Sequence, residues 1–362
     1  MQVERPVDEF RGVRWAIVGS GEFAIDWLAP GIAAAGGATL TAIVSRDPDR
    51  VAPAASRLGV RTVTSSIGDL RGVADAVHIA TPNHLHVQQA VEAAGHGLHV
   101  LVEKPMAMTV DQCRPMVAAA SAAGVLLAVG SCMAWAPPVD QAVSLIRSGA
   151  IGVPLHAAVW AGFDSPPAGL WRQERATSEG GGPLYDLGAH AVDALIRMLG
   201  PVASVTAMLG NLRHRYPAED TATVSLAFRS GVHGTLHLSF ATALNALRVD
   251  GSDGRLDSRE WLGRRFRGDL SLTMGEQGAS GFAAEADGQA GPGARMVPLE
   301  PVDVFAAQAE ETSAAIRRHR VPRNSPGMAL AVVEVLEAAV VSAAEGRRVD
   351  LVDAPAGREG RP

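Results

Sequence analysis

The chain holds a single lysine, Lys104, among its 32 basic residues, and only two cysteines, Cys113 and Cys132. Two thiols cannot build a disulfide framework, and they lack the CxxC spacing of a zinc site. The net charge is −6 and no block of five or six like charges occurs, so the basic patch of a nucleic-acid binder is missing. No apolar run approaches the roughly 18 residues of a membrane span. The first residues, MQVERPVDEFRGVR, are polar and acidic where a signal peptide is basic and then apolar. A cytoplasmic protein with no membrane or nucleic-acid partner is expected. Arginine replaces lysine readily on a surface but poorly where a compact, pKa-tunable ammonium is needed. The sole lysine is therefore expected to be functional.

The chain is 362 residues long and 47% hydrophobic, enough for a sizeable core and, at about 150 residues per domain, about two domains. Residues 14 to 130 alternate β-branched runs (Arg14–Val18, Thr39–Val44, Arg61–Val63, Ala76–Ile79, His99–Val102, Val125–Val129) with Ala-rich helical stretches. Repeated βα units of this kind predict an α/β fold with a doubly wound parallel sheet. Beyond about residue 131 the pattern changes to helix, strand, a glycine run at Gly180-Gly181-Gly182 opening a helix through Leu199, and then a strand meander. This predicts a second, α+β domain with a mostly antiparallel, open-faced sheet. The expected divisions are 1–132, 133–325, and a terminal helix within 326–351 that packs back on the first domain. Gly275–Gly293 is expected to be a mobile loop, and the tail Ala354–Pro362 to fray.

Gly19-Ser20-Gly21-Glu22-Phe23-Ala24 follows the first strand and opens a helix, matching G-x-G-x-x-G/A. The first glycine permits a tight turn, the second lets backbone approach a pyrophosphate, and a small third residue lets helix pack on strand. The helix start then offers N–H groups to phosphates. A nicotinamide dinucleotide is the expected cofactor, with Gly19, Ser20, Gly21, Glu22 and Phe23 around it. The second strand ends Val44-Ser45-Arg46-Asp47; Ser45 and Arg46 favour the 2′-phosphate of NADP(H), while Asp47 keeps NAD(H) open. Tyr185 and Tyr216, the only tyrosines, are too far from Lys104 for Tyr-x-x-x-Lys, and neither a Gly-Lys-Ser/Thr loop nor a metal-ligand set is present.

Three further motifs follow in order: Thr81-Pro82-Asn83-His84-Leu85-His86, Glu103-Lys104-Pro105, and Gly180-Gly181-Gly182-Pro183-Leu184-Tyr185-Asp186-Leu187-Gly188-Ala189-His190. With the glycine fingerprint they resemble the Gfo/Idh/MocA oxidoreductases, from Arg14 to about Leu351. The resemblance implies that Lys104, Asp186 and His190 face the nicotinamide across a domain cleft. It also implies that Thr81, Pro82, Asn83, His86 and Glu103 adjoin it, and that Trp171-Arg172 reaches the cofactor. From the residues alone, strand ends of an open parallel sheet point into the ligand crevice, which puts Asn83 and Lys104 near the reactive end. Asp186 and His190, four apart on a predicted helix, share a face. His190 is expected to act as acid/base, Lys104 to stabilise an alkoxide-like oxygen, and Asp186 to orient; Lys104 is an alternative proton donor. Asp193 is expected to be structural. Trp160, Phe163 and Tyr185 are candidates for a sugar cleft, and the apolar Ser131–Trp135 stretch departs from sugar-active relatives.

The expected reaction is NADP(H)-linked hydride transfer at a secondary carbinol or ketone of a sugar, polyol or related cyclic compound, by a homodimer or homotetramer. Two alternatives share the sequence features. One is redox-assisted glycoside cleavage or epimerisation with a tightly held cofactor, and the other is a non-catalytic NADP(H) sensor.

Overall fold

The structure, a computed structural model, describes residues 12–165, 171–263, 268–275 and 293–351. Nearly all of the expected 275–293 loop, the N-terminal eleven residues and the tail from 352 lie outside them. The chain forms two units, one of residues 1–107, 111–135 and 302–329, the other of 108–110, 136–301 and 330–362.

In the first unit Val13–Val18 (β1), VRWAIV, is buried along almost its whole length, as a strand covered on both faces must be. It sits inside a six-stranded parallel sheet with Ala38–Val44 (β2), Thr62–Thr64 (β3), Ala76–Ile79 (β4), His99–Glu103 (β5) and Leu127–Gly130 (β6). The order is β3-β2-β1-β4-β5-β6, the Rossmann arrangement that the βα repeats predict. Its order reverses between β1 and β4, which fixes the ligand crevice at their carboxyl ends. The crossovers run through Ala29–Ala34 (α1), Pro48–Arg57 (α2), His86–Gly95 (α3) and Val110–Ala123 (α4). A π turn over Ala24–Leu28 precedes α1; Pro30 lacks an N–H, and the turn widens just before it.

The helix that joins this unit from the far end of the chain is Val304–Arg317 (α9), capped by Asp303, whose carboxylate accepts the N–H groups of Phe305 and Ala306 at 3.0 Å each. A Cβ on Gly31 would come within 2.6 Å of the Phe305 Cβ, so glycine lets α1 and α9 close together. Trp15, fully buried in β1, donates its indole N–H to Ser313 at 2.9 Å. The two units divide the chain differently from the expected boundaries: α9 belongs with the first unit, whereas the last helix, Pro326–Glu345 (α10), belongs from Leu330 onward to the second. There Ser342 accepts the Ala207 N–H at 3.0 Å and Glu337 accepts that of Val110 at 2.9 Å. By length and composition alone α10 could cross a membrane, its mean hydropathy being 1.8.

The second unit carries Pro137–Arg147 (α5), Pro154–Gly162 (β7), Trp171–Glu174 (α6), Gly182–Asp186 (α7) and Gly188–Leu199 (α8). Then come Val202–Gly210 (β8), Thr221–Phe228 (β9), His233–Ser239 (β10), Leu244–Gly251 (β11), Gly254–Arg259 (β12), Ser271–Met274 (β13), Ala294–Met296 (β14) and, after α10, Val349–Asp350 (β15). They make a nine-stranded sheet, β14-β13-β12-β11-β7-β10-β9-β8-β15, antiparallel at every pair but β7 with β10. Along β10, Gly234, Leu236 and Leu238 are buried while the alternate residues His233 and Thr235 are exposed and His237 is half-buried. Trp160 pairs with His237 in register and shares the exposed face. The glycine run does not open one long helix. A short 3₁₀ turn (Thr177–Glu179), α7 and α8 follow one another, with Leu187 between α7 and α8.

Candidate active site

The fingerprint glycines are required for different reasons. Gly19 has φ +117°, and a Cβ there would stand 2.6 Å from the Ala80 carbonyl oxygen. Gly21 has nothing within 4 Å of where its Cβ would be, an open cradle beside the backbone such as a pyrophosphate needs. Ala24, in the third position, is buried. Phe23 is turned toward α9, meeting Phe305 edge-on at 5.5 Å, and Glu22 is exposed in the first helical turn.

At the end of β2, Ser45 is buried and shares a hydrogen bond with Ser20 (Oγ to Oγ, 2.8 Å). Asp47 accepts the Arg50 N–H at 3.1 Å and caps α2, which engages one of its carboxylate oxygens. Arg46 is exposed. The arginine that reaches the glycine loop is Arg50, whose guanidinium donates to Ser20 Oγ at 3.4 Å. Asp47-Pro48-Asp49, with an acceptor at the cap and proline in the first turn, is the signal that reading the strand end alone misses: a cap at Asp47 places Arg50 in the first turn of α2, next to the loop. An exposed guanidinium beside two hydroxyls, at the edge of an open glycine cradle, is a donor set that fits a nicotinamide dinucleotide.

Beyond β4, Thr81 donates to Gln89 at 2.6 Å and Asn83 is buried in a 3₁₀ turn. His86 is wholly buried, with Nδ1 3.1 Å from the Pro105 carbonyl and Nε2 3.0 Å from that of Thr81. It ties the loop after β4 to the loop after β5. Burial lowers its pKa, although both carbonyls favour the cation. Glu103, at the end of β5, is buried against His78 Nε2 at 3.0 Å, and its other oxygen accepts the Lys104 backbone N–H at 3.3 Å. A Cβ on Gly130, opposite it on β6, would fall on that carboxylate. Lys104 is half-buried and precedes a cis Pro105. Cys132, Met133 and Ala134 are buried interior residues of this unit, so the apolar stretch reflects packing.

In the second unit Arg172 lies 5.8 Å from the ring of its neighbour Trp171 and forms an ion pair with Asp186 (Nη1 to Oδ2, 3.4 Å). Asp186 ends α7, and His190 lies in the first turn of α8, its N–H bonded to the Leu187 carbonyl at 3.1 Å. The expectation of one continuous helix is corrected here. Asp193 is buried in a two-bond pair with Arg197 (2.9 and 3.1 Å), the structural role expected of it. Tyr185 leaves the list of cleft candidates: it is buried, donates to the Met108 carbonyl at 2.8 Å, and burial pushes its phenol up. Phe163 packs on Phe240 at 4.9 Å.

Two residues carried no sequence signal beyond an acidic pair before a strand. Asp220 is buried and opposed by its own desolvation, yet its pKa is lowered, because it accepts the N–H groups of His214, Leu212 and Arg213 and the Thr221 hydroxyl. Glu219 is buried and pushed up to about 7 by that burial; hydrogen bonds from Thr177 and the Leu184 N–H pull the other way, and Asp220 adds to the rise.

A glycine cradle at the switch point of a Rossmann sheet, with a lysine at the end of β5, is an arrangement suited to a nicotinamide dinucleotide and to an oxidoreductase. Sequence profiles agree. The oxidoreductase family with an NAD-binding Rossmann fold matches residues 13–131, and the GFO/IDH/MocA C-terminal domain matches 139–257. The chain belongs to the Gfo/Idh/MocA family. It is 30% identical over 316 residues to a 1,5-anhydro-D-fructose reductase of Ensifer adhaerens, covering 85% of this chain and 90% of that one. It is 28% identical to a D-apiose dehydrogenase of Paraburkholderia graminis, over 87% and 84% of the two chains. Among solved structures, an aldose-aldose oxidoreductase of Caulobacter crescentus superposes with a TM-score of 0.84 at 27% identity, covering 94% of this chain and all of that one.

Proposed function

We propose that the protein transfers a hydride between NADP(H) and a secondary carbinol or ketone of a sugar, polyol or related cyclic compound. The observation that carries this reading is the sole lysine at the end of β5, its backbone N–H held by the buried carboxylate of Glu103. A nicotinamide, when bound, supplies or accepts the hydride. The chain's own work is to move the proton and to hold charge. His190 gives a proton to the reacting oxygen or takes it away, and the Lys104 ammonium stabilises that oxygen while it is alkoxide-like. Asp186, paired with Arg172, hydrogen-bonds a substrate hydroxyl. The preference for the 2′-phosphate rests on Arg50, Ser20 and Ser45, with Asp47 engaged as a cap. Names of relatives that act on 1,5-anhydro-D-fructose and D-apiose support the sugar class. A cytoplasmic location, and a homodimer or homotetramer formed through the exposed face of the nine-stranded sheet, belong to the same proposal.

The test is a titration of desalted protein with NADPH and with NADH, followed by absorbance at 340 nm with 1,5-anhydro-D-fructose. Tighter NADPH binding and oxidation of NADPH are expected. Preference for NADH overturns the ribose assignment, and silence across anhydrofructose, apiose and a panel of cyclic ketones overturns the substrate class.

A further inference from the structure

The glycine run before α7 has a steric cause that points to one buried acid. Gly182 has φ +82°, and a Cβ on it would fall on the carboxyl group of Glu219. A Cβ on Gly181 would fall on the Arg175 carbonyl and stand 3.1 Å from the Ala218 Cβ. With both side chains absent, the backbone at the start of α7 rests on the segment 218–219. Glu219 then holds it: one oxygen accepts the Leu184 N–H at 2.9 Å and the other accepts the Thr177 hydroxyl. Thr177 also accepts the Glu219 N–H at 3.4 Å, closing the contact from both sides. Two residues beyond Leu184 stands Asp186, and four further on His190.

We propose that Glu219 is a positioning residue for the hydride-transfer site: its carboxylate, lodged in the space Gly182 leaves, sets where α7 begins and so where Asp186 and His190 stand. The inference rests on the reading of Asp186 and His190 as the substrate-side pair. It adds that their placement follows the ionisation of a group that touches neither substrate nor cofactor.

Several charged or titratable groups surround Glu219. Asp220 follows it in the chain and repels its charge. Tyr185 on α7 and Tyr216 in the preceding loop both have phenols raised partly by Glu219, Tyr216 to about 12. On the segment before Gly180, Arg175 and Glu179 pair with each other at 3.7 Å. Both phenols are pushed above the physiological range and Asp220 is held ionised, whereas burial brings the Glu219 carboxyl close to neutrality.

The test is a ¹H–¹⁵N titration of the full chain from pH 5 to 9, which needs neither substrate nor turnover, so its outcome is read separately from that of the proposed reaction. The Leu184 amide and the amides of 186–190 are expected to move with one shared midpoint near 7. That midpoint should vanish from all of them in Glu219→Gln. In Thr177→Val it should rise, because the hydroxyl favours the ionised acid. Movement of Leu184 alone, or a midpoint at 186–190 that persists in Glu219→Gln, overturns the proposal. If the glutamine variant does not fold, an unmoved midpoint at 186–190 in Thr177→Val overturns it equally.

Discussion

Replacing Glu219 by glutamine is expected to stabilise the folded protein at pH 8. The acid is raised from 4.5 to about 7 chiefly by burial, which means that the fold disfavours its charge. For an acid with a raised folded pKa, the folded state binds more protons than the unfolded state between the two values. Stability therefore falls as pH rises from 4.5 to 7 and is level above that. At 1.36 kcal/mol per pKa unit, the charged form costs about 3 kcal/mol at pH 8 and about 1 kcal/mol at pH 5. Glutamine is close in shape and keeps an acceptor for the Leu184 N–H, and its amide can donate to Thr177. An imperfect refit of these bonds costs about 1 kcal/mol at either pH. The net expectation is a gain of about 2 kcal/mol at pH 8 and no significant change at pH 5. Urea unfolding followed by tryptophan fluorescence at both values measures it, the difference between pH values within each variant being the quantity that matters. A Gln variant that is destabilised equally at pH 5 and pH 8 would refute the reasoning, since it would mean that Glu219 is buried without a charge penalty.

Lys104→Ala should retain nucleotide binding but lose roughly 10²–10⁴ in turnover; near-normal turnover on a verified substrate would remove Lys104 from the mechanism. Arg50→Ala should weaken NADPH about 10- to 100-fold, the worth of a charge-assisted hydrogen bond, and leave NADH within about twofold; paired fluorescence titrations separate the two. Gly19→Ala and Gly21→Ala should part company. The first forces a Cβ to 2.6 Å from the Ala80 carbonyl at φ +117° and should cost about 1–3 kcal/mol in unfolding. The second meets nothing within 4 Å and should leave the melting temperature unchanged while abolishing coenzyme binding.

The parallel sheet was legible because its strands are apolar on both faces and its turns carry glycines with a stated job; the fingerprint and the strand-end lysine followed from position in that sheet. Other features depend on partners distant in sequence. Nothing local in Val304–Arg317 says that it leaves the second unit to pack on α1; the contact that decides it is between Gly31 and Phe305. The glycine run was expected to open one helix through Leu199, with Asp186 and His190, four apart, on one face; the structure instead ends α7 at Asp186 and starts α8 at Gly188. Arg50 rather than Arg46 reaches the glycine loop because a cap, and not the strand end, sets the direction of that segment. Tyr185 looked like a cleft residue since an aromatic side chain next to a motif reads the same whether it faces in or out; the Met108 carbonyl, 77 residues away, keeps it inside.

The two units share a construction that no motif states. In the first, Lys104 follows Glu103, a buried carboxylate whose neighbour on β6 is Gly130; in the second, α7 rises from Glu219, a buried carboxylate beneath Gly182. In both places a Cβ on the glycine would occupy the carboxylate's position, and the carboxylate takes a backbone N–H at or close to the residue expected to do chemistry. A backbone N–H has a fixed direction, so an ionised acceptor beneath it restricts the segment more tightly than apolar packing would. Each carboxyl group is kept out of water and makes one further side-chain hydrogen bond there, with His78 in one case and with Thr177 in the other. Stability alone would favour a neutral residue at Glu219; what the charge supplies is a defined geometry for the side chains that follow.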